Sequence, residues 1–466
     1  MNIHESASLQ REAISRDRAA GLSPQDRGEA RRREYTRRHD LLKSLRELVL
    51  KHEKAILDAL TKDLGKSAGE GYMTEVGIVL GEISYLLRHL KKWMKPVRVA
   101  SSLAVFPSAS MRYPEPYGLV LIMSPWNYPF QLTMLPLIGA IAAGNRCMVK
   151  ASSQSPATSR IMAELISAWA PPELVTVVPG GHQERQTLLD ERFDYIFFTG
   201  SPNAGRYVMR KAAEHLTPLT LELGGKSPCI VDETADLELA ARRIAFGKAI
   251  NAGQTCVAPD YLLVHAGVKD KLLALISENW EGFYGKQAVT SPDWPKIIGA
   301  RHYGRLMEMI KDEDIYCGGI GDGQRIAPTL LNNVSWEAPV MREEIFGPIL
   351  PVISYTSLEQ AADMVSSREK PHALYLFSQS DECIDAVVRA IPFGGGCVND
   401  TLIQLGNPRL PFGGVGTSGM GSYHGKQSFD TFTHYKSVMR RGKPDFPFRY
   451  PPYTDKKLSL LRQFLK

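Results

Sequence analysis

The sequence predicts an α/β protein with two parallel-sheet units. Three observations point there: short, wholly apolar runs, helical stretches between them, and a restart of that alternation after Gly224. A strand covered by helices on both faces has no polar side, so it reads as a continuous apolar run. Gly118-Leu119-Val120-Leu121-Ile122-Met123 is the first, ended by Ser124-Pro125-Trp126-Asn127. A helical segment follows, then a strand over 146–150, a helix over 158–169, and strands over 174–178 and 195–198. Beyond Gly224, strands are expected over 229–231 and 261–264, and helices over 237–248 and 269–280. The units meet near Glu222 to Gly225.

Ahead of the first strand, residues 27–90 carry helical periodicity, with Leu41, Leu42, Leu45, Leu48 and Val49 at near-helical spacing. Residues 95–116 are broken by Pro96, Pro107, Pro114 and Pro116 and read as an exposed hairpin or arm. From Ser422 on, the alternation is lost, and that stretch is expected to serve packing or assembly. No internal repeat of solenoid length is present.

Composition narrows the function classes. At 466 residues the chain can hold two or three cores. Net charge is only +6, and part of it sits in Arg31-Arg32-Arg33 and Arg37-Arg38. No aromatic residues interleave with that cluster, so it reads as a solvated helix face and no nucleic-acid partner is expected. The six cysteines form no C-x-x-C pair or short His/Cys cluster, so neither a disulfide framework nor a metal site is expected. The first ten residues carry no apolar signal core, and no apolar run reaches the roughly 18 residues of a membrane span. A cytoplasmic location is the expectation.

Two ends of the chain carry chemistry. At the nucleotide end, Thr199-Gly200-Ser201-Pro202-Asn203-Ala204-Gly205 follows a strand and opens a helix over 206–215. Glycines there permit close backbone approach, and a helix N-terminus favours phosphate. It departs from G-x-G-x-x-G, and such a junction also occurs without a ligand. Lys150 closes a strand, where open sheets bind ligands, although a strand-end lysine can simply be solvated.

At the chemical end, Cys256 follows Asn251-Ala252-Gly253-Gln254-Thr255. A thiol can attack a carbonyl carbon, and a carboxylate can activate the water that later releases the acyl group. Glu222, in an apolar run before two glycines, is the candidate carboxylate; a structural ion pair is its other reading. Asn127 offers an amide donor for a developing oxyanion, or a cap for the following helix. Glu343-Glu344-Ile345-Phe346-Gly347-Pro348 and Leu410-Pro411-Phe412-Gly413-Gly414-Val415-Gly416 complete the set.

Taken in order, these strings resemble the aldehyde dehydrogenase superfamily over about residues 27–450. Tyr128-Pro129-Phe130, Ala258-Pro259-Asp260-Tyr261 and Gly419 to Lys426 are similar to its class 3 branch, which includes fatty and aromatic aldehyde dehydrogenases. The resemblance implies two Rossmann-like parallel-sheet domains: an NAD(P)-binding domain over 1–95 and 115–221, and a catalytic domain over 222–421. A small β oligomerisation arm and C-terminal tail, 96–114 and 422–466, complete the chain and imply a homodimer. Cys256 would be the nucleophile, with the Asn127 amide and the Cys256 N–H as oxyanion hole. Hydride would pass from the thiohemiacetal to nicotinamide, and Glu222 would activate water to hydrolyse the thioester. Glu344 would hold the nicotinamide ribose with Phe346 packing beside it, Lys150 would contact the adenosine ribose, and Gly200, Ser201 and Gly205 would begin the helix beside the pyrophosphate; Trp126 belongs to the same cofactor set.

One departure matters. The family often has a glutamate three residues after this lysine; here it is Ser153. Without a carboxylate to repel a 2′-phosphate, NADP is expected to be accepted as well as NAD. The end of the chain, 456–466, could pack, fray or touch a membrane surface weakly, and is too short to span one. A CoA-acylating reductase and a non-catalytic protein on the same scaffold are the rival readings. Tyr128, Phe130, Leu132 and Met134 either line an apolar substrate entrance or belong to the core.

Overall fold

The computed structural model describes residues 2–20, 27–102 and 105–465. The parts of the ranges above at Met1, 21–26, 103–104 and Lys466 lie outside the described residues. The chain first lays down β1 (Val97–Val99) and β2 (Ser108–Pro116). Then come β3 (Leu119–Met123), β4 (Arg146–Lys150), β5 (Val175–Val177), β6 (Tyr195–Thr199) and β7 (Leu219–Glu222). A second run follows: β8 (Pro228–Val231), β9 (Tyr261–His265), β10 (Ile315–Cys317), β11 (Thr329–Leu331), β12 (Ile349–Tyr355), β13 (Ala373–Phe377) and β14 (Gly395–Val398). Finally β15 (Gly419–Met420) and β16 (Thr433–Arg441) return to earlier sheets.

The first run forms a six-stranded sheet of order β15-β7-β6-β3-β4-β5, parallel except for β15. The second forms a seven-stranded sheet of order β10-β11-β12-β9-β8-β13-β14, parallel except for β10. The predicted fold class is therefore the observed one. Side-chain alternation explains why the strands are apolar throughout. Val120 and Ile122 enter the core beneath helices Gly77–Trp93 and Gln131–Ala143, whereas Leu119, Leu121 and Met123 enter a separate core on the other face.

Three expectations need correction. An N-terminal helix, Ile3–Ala20, packs on the first sheet although its sequence is polar. Its buried residues are Ser6, Ala7, Gln10 and Ala13, small or amide side chains, and only Ile3 and Ile14, partly buried beside them, add larger apolar contacts. Gln10 earns its burial by donating to the Cys147 and Pro172 carbonyls at 3.1 and 2.9 Å. Second, Arg38 is not on a solvated face: it is 7% exposed, donates to the Ala142 carbonyl and is held by Glu34. Third, the proline-rich arm is no simple hairpin. β2 pairs with β1 on one side and, over nine residues, with β16 on the other. The end of the chain forms helix Asp455–Phe464, where Phe464 stacks on Phe446 and Phe448. Among the described residues no helix is long and apolar enough to cross a membrane.

Candidate active site

In the first sheet the strand order runs outward from β3 in both directions, to β4 and β5 on one side and to β6 and β7 on the other. Connections leaving β3 and β6 therefore diverge, and a crevice opens at the carboxyl ends of these strands. That edge collects residues far apart in sequence: Trp126 and Asn127 after β3, Lys150 at the end of β4, Gly200 and Ser201 after β6, and Glu222 at the end of β7.

The nucleotide-end residues fall along this edge. Ser201 caps helix Pro202–Ala213, its hydroxyl accepting from the Ala204 N–H. The helix starts four residues earlier than the sequence suggested, because Pro202 suits the first turn. Gly205 is packed so closely that a Cβ would lie 2.6 Å from Leu223, which seats the helix on the sheet. A Cβ at Gly200 would meet the Phe198 ring at 2.6 Å. The Lys150 ammonium donates to the Ala151 and Gly180 carbonyls at 2.9 and 2.7 Å, and burial pushes its pKa down. Ser153 lies exposed in the turn beyond it. A shallow cavity beside this helix, lined by His182, Arg185, Phe198 and Tyr207, was not anticipated from sequence.

Cys256 owes its position to backbone that few side chains tolerate. After helix Leu237–Ala249, residues Asn251, Ala252 and Gly253 adopt φ of 51°, 49° and 69°, all left-handed. The turn is held by its own polar side chains. Asn251 Nδ2 donates to the Asn127 and Gln254 carbonyls at 2.8 and 3.0 Å, and the Asn251 N–H donates to Glu70. Gln254 Nε2 donates to the Asn251 and Lys296 carbonyls, both at 2.9 Å. Gly253 cannot be replaced there, since a Cβ would sit 2.2 Å from the Gly347 carbonyl oxygen. Cys256 itself is half-buried.

Asn127 caps no helix. Its Nδ2 donates to the Gln254 carbonyl at 3.0 Å, two residues from Cys256. Beneath its loop lies an ion pair with no exposure on either side, Lys66 to Glu75 at 2.6 Å. Lys66 also donates to the Asn127 carbonyl, and Glu75 accepts from the Phe130 and Gln131 N–H groups. These partners were missed because nothing local marks them. Phe130 and Met134 are core residues, which removes them from the predicted substrate entrance. Tyr128 hydrogen-bonds Thr255 at 2.6 Å, next to Cys256.

The acids converge on the sulfur. Burial pushes the Cys256 thiol up, and charge on Glu344 and Glu222 pushes the same way. Glu344 is half-buried, and its carboxyl is raised to about 8, first by burial and then by Asp260, against an opposing backbone hydrogen bond from Gly225. It lies against Gly224, where any Cβ would collide with its carboxyl oxygen. Its Oε1 has no partner among the described residues, so the site offers a buried acceptor that a sugar hydroxyl of a dinucleotide would satisfy. Phe346, at φ 52°, meets Trp126 edge-on with ring centroids 5.4 Å apart. Glu222 is 2% exposed, and burial raises it well above the usual carboxylate range. Among the described residues neither of its oxygens is hydrogen-bonded and no lysine or arginine pairs with it, which leaves a pair with a permanently charged cation without support. Its neighbour is His372, unmarked in the sequence, with Nε2 at 3.5 Å.

Comparison with known proteins agrees with this geometry. The sequence pattern described as "Aldehyde dehydrogenase family" matches residues 3–438. A 4,4'-diaponeurosporen-aldehyde dehydrogenase of Staphylococcus aureus is 48% identical, over 92% of this chain and 94% of that protein. Mouse aldehyde dehydrogenase family 3 member A2 is 45% identical, over 91% of this chain and 90% of that protein. The solved structure of the substrate-bound state of S. aureus AldH superposes with a TM-score of 0.94 at 44% identity, covering 100% of both chains. An NAD-dependent aldehyde dehydrogenase from Sinorhizobium meliloti superposes with a TM-score of 0.82 at 27% identity, over 95% of this chain and 89% of that one. On the fold, the convergent thiol and acids, and this matched length, the chain belongs to the aldehyde dehydrogenase family.

Proposed function

We propose that this chain oxidises medium-chain, long-chain or aromatic aldehydes to carboxylic acids with NADP or NAD, Cys256 serving as nucleophile and Glu222 as the base for hydrolysis. One observation carries the reading: a half-buried sulfur on a braced turn lies close to Glu344 and to the buried Glu222, which pairs with no lysine or arginine among the described residues. Such an arrangement is costly to fold and is useful to a nucleophile with a nearby base.

NAD or NADP, when bound, is the electron acceptor. Glu344 would accept hydrogen bonds from its nicotinamide ribose, with Phe346 and Trp126 walling that end. Lys150, Gly200, Ser201 and Gly205 would line the adenosine and pyrophosphate end. The chain's own work is to present Cys256 to the carbonyl carbon, forming a C–S bond. The Cys256 N–H and, after release from Gln254, the Asn127 amide stabilise the charge that gathers on oxygen. Glu222 then takes a proton from water as that water attacks the thioester. The six-stranded half is assigned to coenzyme and the seven-stranded half to catalysis.

Substrate and coenzyme range are tested together. An aldehyde panel of rising chain length should give one carboxylic acid per reduced coenzyme, with kcat/KM for NADP comparable to or above that for NAD. Ser153→Glu should lower kcat/KM for NADP at least about tenfold while sparing NAD, because a carboxylate would face the 2′-phosphate. A strong NAD preference in the unmodified protein would refute the coenzyme reading.

We place the protein in the cytoplasm as a homodimer. All six cysteines are free, as a reducing compartment requires. On β16, Val438 and Met439 are 42% and 50% exposed, an apolar surface suited to a second copy. Sedimentation analysis should give twice the 51.7 kDa chain mass, and a monomer at micromolar concentration would end the dimer assignment.

A further inference from the structure

Among the described residues, the buried polar atoms of this site without partners include both Glu222 oxygens and His372 Nε2. They face one another, with Nε2 at 3.5 Å from Glu222 Oε2 and both side chains 1% exposed. The other ring nitrogen settles the tautomer. Nδ1 lies 2.7 Å from the Leu223 carbonyl oxygen, which can only accept, so Nδ1 carries the hydrogen. Nε2 of the neutral ring is then a bare lone pair. An ionised Glu222 would set negative charge against that lone pair with no protein donor between them, in a buried site. One added proton cures both deficits, either as Glu222 O–H donating to Nε2 or as Nε2–H donating to the carboxylate.

We propose that His372 is a positioning residue for Glu222, the two side chains holding a single proton between them. The assignment rests on Glu222 being the base that activates water. In the resting pair the proton sits on Glu222, since burial raises the carboxyl and lowers His372 to about 4. For hydrolysis it crosses to Nε2. That frees the carboxylate and turns the imidazolium into a donor that orients it. Water then gives a proton to Glu222 as its oxygen bonds to the thioester carbon, and the C–S electron pair leaves to sulfur. The other groups near the pair do not compete for this role. Tyr195 and Tyr423 are raised, chiefly by burial, and stay neutral, and Cys256 is masked as the thioester. Glu344 faces Gly224 rather than His372, whose ring packs on Phe412; His424, lowered to about 4 by burial, lies beyond that ring.

Because the proton moves inside the pair, its total does not change with pH. Single-turnover hydrolysis of a preformed acyl-enzyme should therefore be nearly flat between about pH 6 and 8. In His372→Leu, Glu222 must lose its proton to solvent, so the rate should fall and then climb about tenfold per pH unit over that range. His372→Gln, which can accept a hydrogen bond but hold no proton, should show the same slope. A resting infrared band from a protonated carboxyl should vanish in Glu222→Gln and move to higher frequency in His372→Leu, where its hydrogen bond is lost. The infrared comparison of the unmodified protein with Glu222→Gln does not depend on the His372 variants folding. No such band, or the same slope with and without His372, overturns the proposal while leaving Glu222 as base. Only wild-type hydrolysis in Glu222→Gln would instead remove the reading beneath it.

Discussion

Cys256→Ser should lower kcat/KM for aldehydes by at least about a thousandfold, with coenzyme affinity retained. A hydroxyl is a far weaker acid than a thiol, and the surroundings here already oppose ionisation of the sulfur. Replacing sulfur by oxygen in that environment leaves no group able to form the covalent adduct at a useful rate. The fold should survive, because the turn is held by Asn251, Gln254 and Gly253 rather than by the thiol. Coenzyme titration and steady-state kinetics on the purified variant make the comparison. Near-native turnover would mean that another group bonds to the carbonyl carbon.

Glu222→Gln should separate the two halves of the reaction. The amide has nearly the shape of the carboxyl but takes no proton from water, so acylation proceeds and hydrolysis stalls. A rapid burst of reduced coenzyme, equal to the active sites present, should be followed by a steady rate slower by about a hundredfold or more. The Cys256 peptide should then carry the mass of the acyl group. Added CoA resolves the rival chemistry. Fast release as acyl-CoA by the unmodified enzyme would make a thiol, not water, the natural acceptor. Absence of a burst, together with unchanged turnover, would exclude Glu222 as the base.

Much of this was legible from residues alone, and the exceptions share a cause. β3 and β4 were readable because both faces are buried, so every position must be apolar or carry an end function such as Lys150. Cys256, Glu222 and Glu344 were readable because each stands in a string whose glycines serve one particular close contact, Gly224 against Glu344 among them. By contrast, β16 is exposed over most of its length and shows no alternation, so the third strand of the arm left no trace. Helix Ile3–Ala20 was hidden by the smallness of its contact residues. Lys66, Glu75 and His372 are single polar residues whose bearing on the site comes from contacts with distant segments, at Asn127, at Phe130 and Gln131, and at Glu222. A lone histidine before the apolar strand β13 looks the same whether it touches a carboxylate or not.

The absent methyl of Gly253 has a further bearing on how this enzyme can change. Its α-carbon rests on the carbonyl of Gly347, so the segment carrying the sulfur and the segment carrying Glu344 and Phe346 share one wall. Neither can drift without dragging the other. Substitutions that reshape this part of the crevice must therefore move both segments together, and change is easier elsewhere around its mouth.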